Sequence, residues 1–214
     1  MSTTRPGDTS TGEAPPSFIE EARRQQLIQA TITVVAQVGY AQASVARIAQ
    51  QAGISKGLIS YHFRNKEDLF AQTLKETFRS ISAAVTQTLD LTQPAPIIMR
   101  QLLAETANYG ATHHAQFRAL DEISRNLRNP SGQQLLTLAD YEEVYQGLER
   151  LFQRGQREGH FRSFDTRVMA VTYQSAVDTM FAYADAHPDT DLKAYADSLA
   201  DILFQGILIH ASGD

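Results

Sequence analysis

From Phe18 to Leu208 nearly every stretch of the chain carries apolar residues at spacings of three and four, and no stretch sustains the alternation of a half-buried strand. The pattern predicts an all-α protein. A first helix is expected over about Phe18 to Val38, with Leu27, Ala30, Thr31, Val34 and Val38 on one face and Gly39 placed to end it. Ser44 is positioned to cap a short second helix whose buried side is Val45, Ile48, Ala49 and Ala52. Gly53 then turns the chain, and Ile54 can fold back on the same core. Ser55 caps a third helix, about Lys56 to Phe63, and Lys66, Glu67 and Asp68 open a fourth that reaches about Leu89. Beyond Gln93-Pro94, helices are expected from Pro96 to Thr112, His114 to Leu127, Gln133 to Arg157, Thr166 to Ala186 and Leu192 to Ile209. Asn129-Pro130, Gly159 and His187-Pro188 punctuate them. No internal repeat appears, which argues against a solenoid.

The 214 residues supply enough apolar side chains for a proper core, and the absence of cysteine excludes disulfides, thiolate metal sites and cysteine nucleophiles. Residues 1–16, rich in Ser, Thr, Gly and Pro, bury too little to offset ordering and are read as a disordered tail. Neither a signal-peptide core nor a membrane-length apolar run is found, so the expectation is a soluble cytoplasmic protein without a membrane partner. Charge divides unevenly along the chain. The overall net charge is −5; the tail holds −1 and Ser17 to Lys66 hold +4, which leaves −8 on the remainder. A basic head on an acidic body presents the head to phosphate first.

Within that head, SVARIAQQAGISKGLISYHF meets several independent demands of a helix-turn-helix. Ala49 is small where two helices approach, Gly53 sits four residues later at the turn, and Ile48, Ile54 and Ile59 form a shared core. A purely structural hairpin would not need its second helix to expose Lys56, Ser60, Tyr61 and His62, nor would it explain the local positive charge. Here the chain resembles the tetracycline-repressor (TetR) family. The resemblance spans about Arg24 to Leu69 and is carried by Arg24, Leu27, Ala30, Gly39-Tyr40, Ile48-Ala49, Ala52-Gly53-Ile54-Ser55-Lys56-Gly57, His62-Phe63 and Lys66-Glu67-Asp68-Leu69. It departs at Ser60, where the family usually has an aromatic; a serine there is similar to the betaine-regulator branch. The resemblance implies a third helix that enters the major groove, with Lys56, Gly57, Leu58, Ser60, Tyr61 and His62 near bases or phosphates. Lys56 offers a mobile cation, Gly57 lets the backbone approach closely, and Tyr61 and His62 can donate to phosphate. Lys66 with the amides that open helix four would make an anion site, and Ser44 and Arg47 are secondary candidates. Ser44 and Ser55 have a structural reading too, as helix caps.

Two other motifs compete. Gly53-Ile54-Ser55-Lys56-Gly57 satisfies G-x-S-x-G, but a hydrolase elbow needs a strand before its serine, and this serine follows a helical segment. His113-His114 diverge by about a hundred degrees on a helix and lack the spacing that completes a metal site. No convergent catalytic set is evident, so neither enzyme activity nor a cofactor is expected.

The domain organisation that follows is a helix-turn-helix head over 17–66 joined through helix four to a larger helical domain, 67–214, for effector binding and dimerisation. Thr166 to Ala186 is apolar on more than one side and must be covered twice. Leu192 to Ile209 also carries two stripes, with Leu199, Leu203, Phe204 and Gly206 as candidate interface positions. A homodimer built there would suit a palindromic double-stranded DNA operator, and the family resemblance implies the same four-helix interface. Glu105, Tyr109, His113, Phe117, Tyr141, Tyr145, Phe152, Met169, Tyr173 and Met180 mix aromatic and polar groups at helical spacing and are candidates to line an effector cavity. A cationic or aromatic effector could use Glu105 and the tyrosines, while a fatty or phenolic one is equally compatible. The functional expectation is a transcriptional regulator, acting as a repressor that an unknown small molecule releases from DNA.

Overall fold

The structure, a computed structural model, describes residues 18–129, 131–133 and 141–209. The expected tail lies outside the described residues, as do residues 134–140 of the helix expected from Gln133. Among the described residues the elements are α1 (Phe18–Gln42), α2 (Val45–Ala52), α3 (Lys56–His62), α4 (Lys66–Thr86), α5 (Ala95–Thr112), α6 (His114–Asn126), α7 (Glu142–Arg157), α8 (Thr166–Ala186) and α9 (Leu192–Gln205). Among the described residues no strand occurs, and Phe161 and Leu208 form an isolated antiparallel bridge. No described helix is long and apolar enough to cross a membrane.

The local signals act where the residue chemistry places them. Gly39 interrupts α1 with φ 76° and ψ 164°, a conformation open only to glycine, and the helix re-forms for a single turn after it. Ser44 Oγ accepts from the Arg47 amide and Ser55 Oγ from the Leu58 amide, so both serines cap their helices. Gly53, left-handed at φ 67°, returns its amide to α2 and closes the turn. Helix α4 stops at Thr86, one turn short of the expected end, and Thr88 and Asp90 bond locally to the backbone beyond it.

Two apolar cores result. The first joins α1, α2, α3 and the start of α4 through Leu27, Val35, Ile48, Ile59, Phe63, Leu69 and Phe70. It also takes in Ala119, Ile123 and Leu127 from α6 and its C-cap, 50 residues further along the chain than the end of the basic segment. This explains why α1 is buried more widely than one face predicts: Ile28, Ile32 and Val35 are buried as well, and α6 packs along α1. Glu122 of α6 ties the same junction by accepting from the Tyr40 amide at 3.0 Å.

The second core lies among α5, α7, α8 and α9, around Phe152, Phe161, Tyr173 and Phe204. Phe161 reaches it because Gly155 has no side chain; a Cβ there would stand 2.2 Å from the Phe161 ring. Arg162 N donates to Ile207 O and Ile209 N to His160 O, which fastens the end of α9 to the connection between α7 and α8.

Candidate DNA-binding face and body cavity

Helix α3 turns Ile59 and Phe63 into the head and leaves Lys56, Gly57, Ser60 and Tyr61 exposed. The spacing of four between Ile59 and Phe63 fixes the helix's rotation, so the polar residues face outward together. Ser44 and Arg47 are exposed at the start of α2, while Leu58 and His62 are half-buried. Tyr61 is 69% exposed, and its hydroxyl donates to Glu20 Oε1 of α1 at 3.0 Å. That bond and the carboxylate charge raise the phenol above its ordinary range and keep the proton on it. The His62 ring meets Tyr61 edge-on at 5.0 Å between centroids.

Lys66 is placed differently from the anion-site expectation. Its ammonium lies 5.2 Å from the Tyr40 ring centroid and 5.1 Å from that of Phe70, a cation-π position that draws it toward the head's core. The α4 N-terminus is also already served, with Asn65 Oδ1 accepting from the Asp68 amide and Asp68 Oδ2 from the Arg64 amide. The exposed cation at this corner is Arg64, which lay outside the helix pattern and was therefore missed.

In the body, α4 to α8 and the start of α9 enclose a cavity of about 1010 Å³. Of the ten positions expected to line it, Phe117, Tyr141 and Tyr173 do. The others are displaced for identifiable reasons. Phe152 and Met180 are fully buried in the α5/α7/α8/α9 core, and Met169 packs against that core. Tyr145 is buried in the same core and stacks on Tyr141, with the Arg167 guanidinium over its ring at 4.8 Å. Tyr109 and His113 stack on each other at 3.8 Å at the α5–α6 corner, where Tyr109 donates to Gln116. Glu105 is half-buried away from the cavity.

The cavity's own polar centre was not anticipated. Asp178 of α8 opens onto it, with Oδ1 accepting from Gln174 Nε2 at 2.8 Å and the Tyr141 hydroxyl bonded to the carboxylate. The protein packed around this carboxylate withdraws water from it, and Asp121 adds like charge; together they push its pKa up to about 6 despite both hydrogen bonds. Burial and Asp178 hold the Tyr141 phenol well above its ordinary range. Tyr173, also on the lining, is buried with no hydrogen-bond partner for its hydroxyl. The apolar wall includes Phe117 and Phe181, stacked at 3.9 Å, and Phe78, edge-on to Tyr141. Phe181 fits because Gly110 faces it, where a Cβ would come within 2.1 Å of the ring. An aspartate five residues beyond a tyrosine, midway along an apolar helix, was the available sequence signal for this centre.

On the far side of α8 and α9 the expected partner face is redrawn. Phe204 is buried within the subunit and stacks near Tyr173, so it does not face outward. Leu199 and Leu203 are half-buried against the body core, and Gly206 caps α9. The exposed apolar side chains there are Val168 and Ile202, at 62% and 74% exposure.

With this geometry in place, likeness to known proteins is concentrated in the head. The family model for bacterial regulatory proteins, tetR family, matches residues 27–73. That match lies in the head and the start of α4. The HTH-type transcriptional regulator BetI of Yersinia pestis (strain Pestoides F) is 45% identical over 71 residues, which are 33% of this chain and 36% of that protein. BetI 2 of Chromohalobacter salexigens is 45% identical over 67 residues, 31% of this chain and 32% of its own length. The chain thus spans about a third of the length of the curated relatives it matches. Solved structures extend the likeness to the whole fold. A tetR-family regulatory protein from Rhodococcus RHA1 superposes with TM-score 0.72 at 20% identity, over 88% of this chain and 98% of that one. FadR from Bacillus subtilis, in complex with stearoyl-CoA, gives 0.66 at 22% identity, over 87% and 99%. At these identities the structures establish the fold alone.

Proposed function

We propose that this protein is a DNA-binding transcriptional regulator, a repressor that leaves a palindromic operator when a small molecule occupies the body cavity. The observation that carries the reading is the double placement of α6. One side of it supplies Ala119 and Ile123 to the core of the head, another supplies Phe117 and Asp121 to the cavity, and Leu120 touches both. A ligand that shifts α6 therefore acts on the packing that holds α3. It needs only to bind better to a body conformation whose heads are wrongly set for DNA, and DNA must then weaken ligand binding by the same factor.

Direct DNA contact falls to the exposed residues of α3, Lys56, Gly57, Ser60 and Tyr61, aided by Ser44, Arg47, Leu58 and His62. In the homodimer, α8 and α9 pack against their copies through Val168, Leu199 and Ile202, and two α3 helices are set about 34 to 36 Å apart to meet successive major grooves.

The experiment is recovery of genomic fragments by the purified protein, followed by anisotropy titration of the recovered duplex across salt concentrations. Lys56→Ala should weaken binding and lower the salt slope by about 1. Tyr61→Ala should weaken binding without unfolding the body. Unchanged affinity for both variants at every salt concentration counts against the assignment. For the dimer, Ile202→Glu should yield monomers by sedimentation, because an unpaired charge in an apolar contact is costly; a monomeric unmodified protein ends that part of the proposal.

A further inference from the structure

The chemistry of the cavity narrows what occupies it. Its walls are mainly apolar, with Phe78, Phe117 and Phe181 converging beside aliphatic residues of α4, α5 and α7. Asp178 of α8 presents a carboxylate to it. Asp178 receives one hydrogen bond from Gln174 and one from Tyr141, which leaves acceptor positions of the ionised group unused. The charged group that acts on it is Asp121 of α6, of the same sign, and its other facing polar groups are Gln174 and Tyr141. Tyr173 belongs to the same wall, with its hydroxyl turned into the body core. Asp178 is exposed on the cavity, so a ligand there can supply the donor and the positive charge that the neighbours of this carboxylate lack. Of the cationic side chains on the lining, Lys75, Arg79, Arg118 and Arg150 are exposed, and Arg154 is half-buried and held by Glu158 and the Leu91 and Gln93 carbonyls. Arg79 pairs with Glu76 at 2.6 Å, and Arg118 stands 3.9 Å from Asp185.

We propose that the cavity binds an amine with an extended apolar body, its ammonium donating to Asp178 within the field of Asp121 and its body lying against Phe78, Phe117 and Phe181. A cavity of about 1010 Å³ is at the upper end of the range for drug-sized ligands, so the apolar body is long or multi-ringed. An N–H donor is required because Asp178 accepts but, once ionised, cannot donate. The amine must therefore compete with protonation of Asp178. Its affinity is highest above pH 6, where the carboxylate is ionised, and falls as pH drops through about 6. Without ligand the sign for stability is opposite. The folded pKa lies above the ordinary value, so ionisation of Asp178 costs folding stability as pH rises from about 4 to 6, and Asp178→Asn removes that loss.

The inference rests on the reading of this cavity as the effector site, and its test is kept separate from DNA binding. Decylamine, 1-decanol and decanoate share one apolar chain and differ only in the charge of the head. Calorimetric titration of each into the full chain at pH 8 should give at least about tenfold tighter binding for decylamine, one good charge-assisted contact. In Asp178→Asn the preference over 1-decanol should disappear, and in the unmodified protein it should shrink severalfold at pH 5. The thermal midpoint of the variant at pH 8, expected to be unchanged or raised, confirms that it folds. Tighter binding of decanoate, equal binding of all three, or a preference that survives Asp178→Asn overturns the proposal. Should decylamine bind through Asp178 while operator affinity stays constant, the amine assignment stands and the effector reading falls.

Discussion

The head and the body of this chain carry their chemistry in opposite places. The head is packed solid, with Leu27, Ile48, Leu69 and Phe70 fully buried, and the side chains proposed to meet DNA stand on the outside of a helix only seven residues long. The body keeps its polar centre inside, on a cavity whose walls come from six helices. An outward face needs only a correct helix rotation, a cap and a turn, all of which are local. A cavity needs the absence of packing at one place, and that depends on every helix around it. The contrast teaches why likeness to relatives runs at 45% over about a third of the chain, while whole-chain structural neighbours share about a fifth of their residues. One fold can hold many cavities.

The strongest way to break this division is to strike the element that belongs to both. Ile123 of α6 is fully buried in the head's core although it lies far beyond the basic segment. Ile123→Ala should cost about 2 to 5 kcal/mol in urea unfolding, and it should weaken operator binding although no DNA contact is touched. A loss below about 1 kcal/mol, the range of a well-tolerated core change, would mean that α6 merely rests on the head and does not help to build it.

A smaller effect should sharpen the body's side of the comparison. Gly110→Ala places a Cβ in the space of the Phe181 ring, which must move away from Phe117 and across the cavity wall. Overpacking costs about 1 to 3 kcal/mol, and the gain in helix propensity offsets about 1, so stability should fall by no more than about 2. Binding of decylamine should fall by a larger factor than operator binding. Equal losses in both would show that the wall and the head are one mechanical unit.

What was legible in the sequence follows the same line. The nine helices among the described residues, the Ser44 and Ser55 caps and the Gly39 and Gly53 breaks are read from spacing and residue type, because each is decided within one or two turns of chain. The outward face of α3 follows from Ile59 and Phe63 alone. The cavity lining was read less well, since periodicity says that Phe152, Met180 and Tyr145 share the inner side of their helices but not which inner positions are filled. Phe152 is filled in because Gly155 admits Phe161 beside it, a contact across a loop that no single-helix pattern contains. Lys66 escaped for a related reason. Its position opens a helix and suggests an anion site, whereas Tyr40, 26 residues earlier in the chain, offers its ring to the ammonium.

The smallest expected effect lies on the head's exposed face and concerns the bond from Tyr61 to Glu20. In the free protein this bond holds the phenol on α3 and keeps a carboxylate beside it, so a DNA phosphate that accepts a hydrogen bond from Tyr61 must displace Glu20 and approach its charge. Glu20→Gln removes the charge and weakens the competitor while keeping the shape. Operator affinity should rise by roughly two- to fivefold at low salt, the size expected of a single exposed electrostatic contact, and the gain should shrink as salt is raised. General repulsion between Glu20 and DNA would give the same sign, so the single variant does not separate the two causes. A double-mutant cycle does. With Tyr61→Phe as the background there is no phenolic proton to compete for, and Glu20→Gln should then gain less than in the unmodified protein. An equal gain in both backgrounds would assign the whole effect to long-range charge and leave the Tyr61 bond without a part in DNA binding.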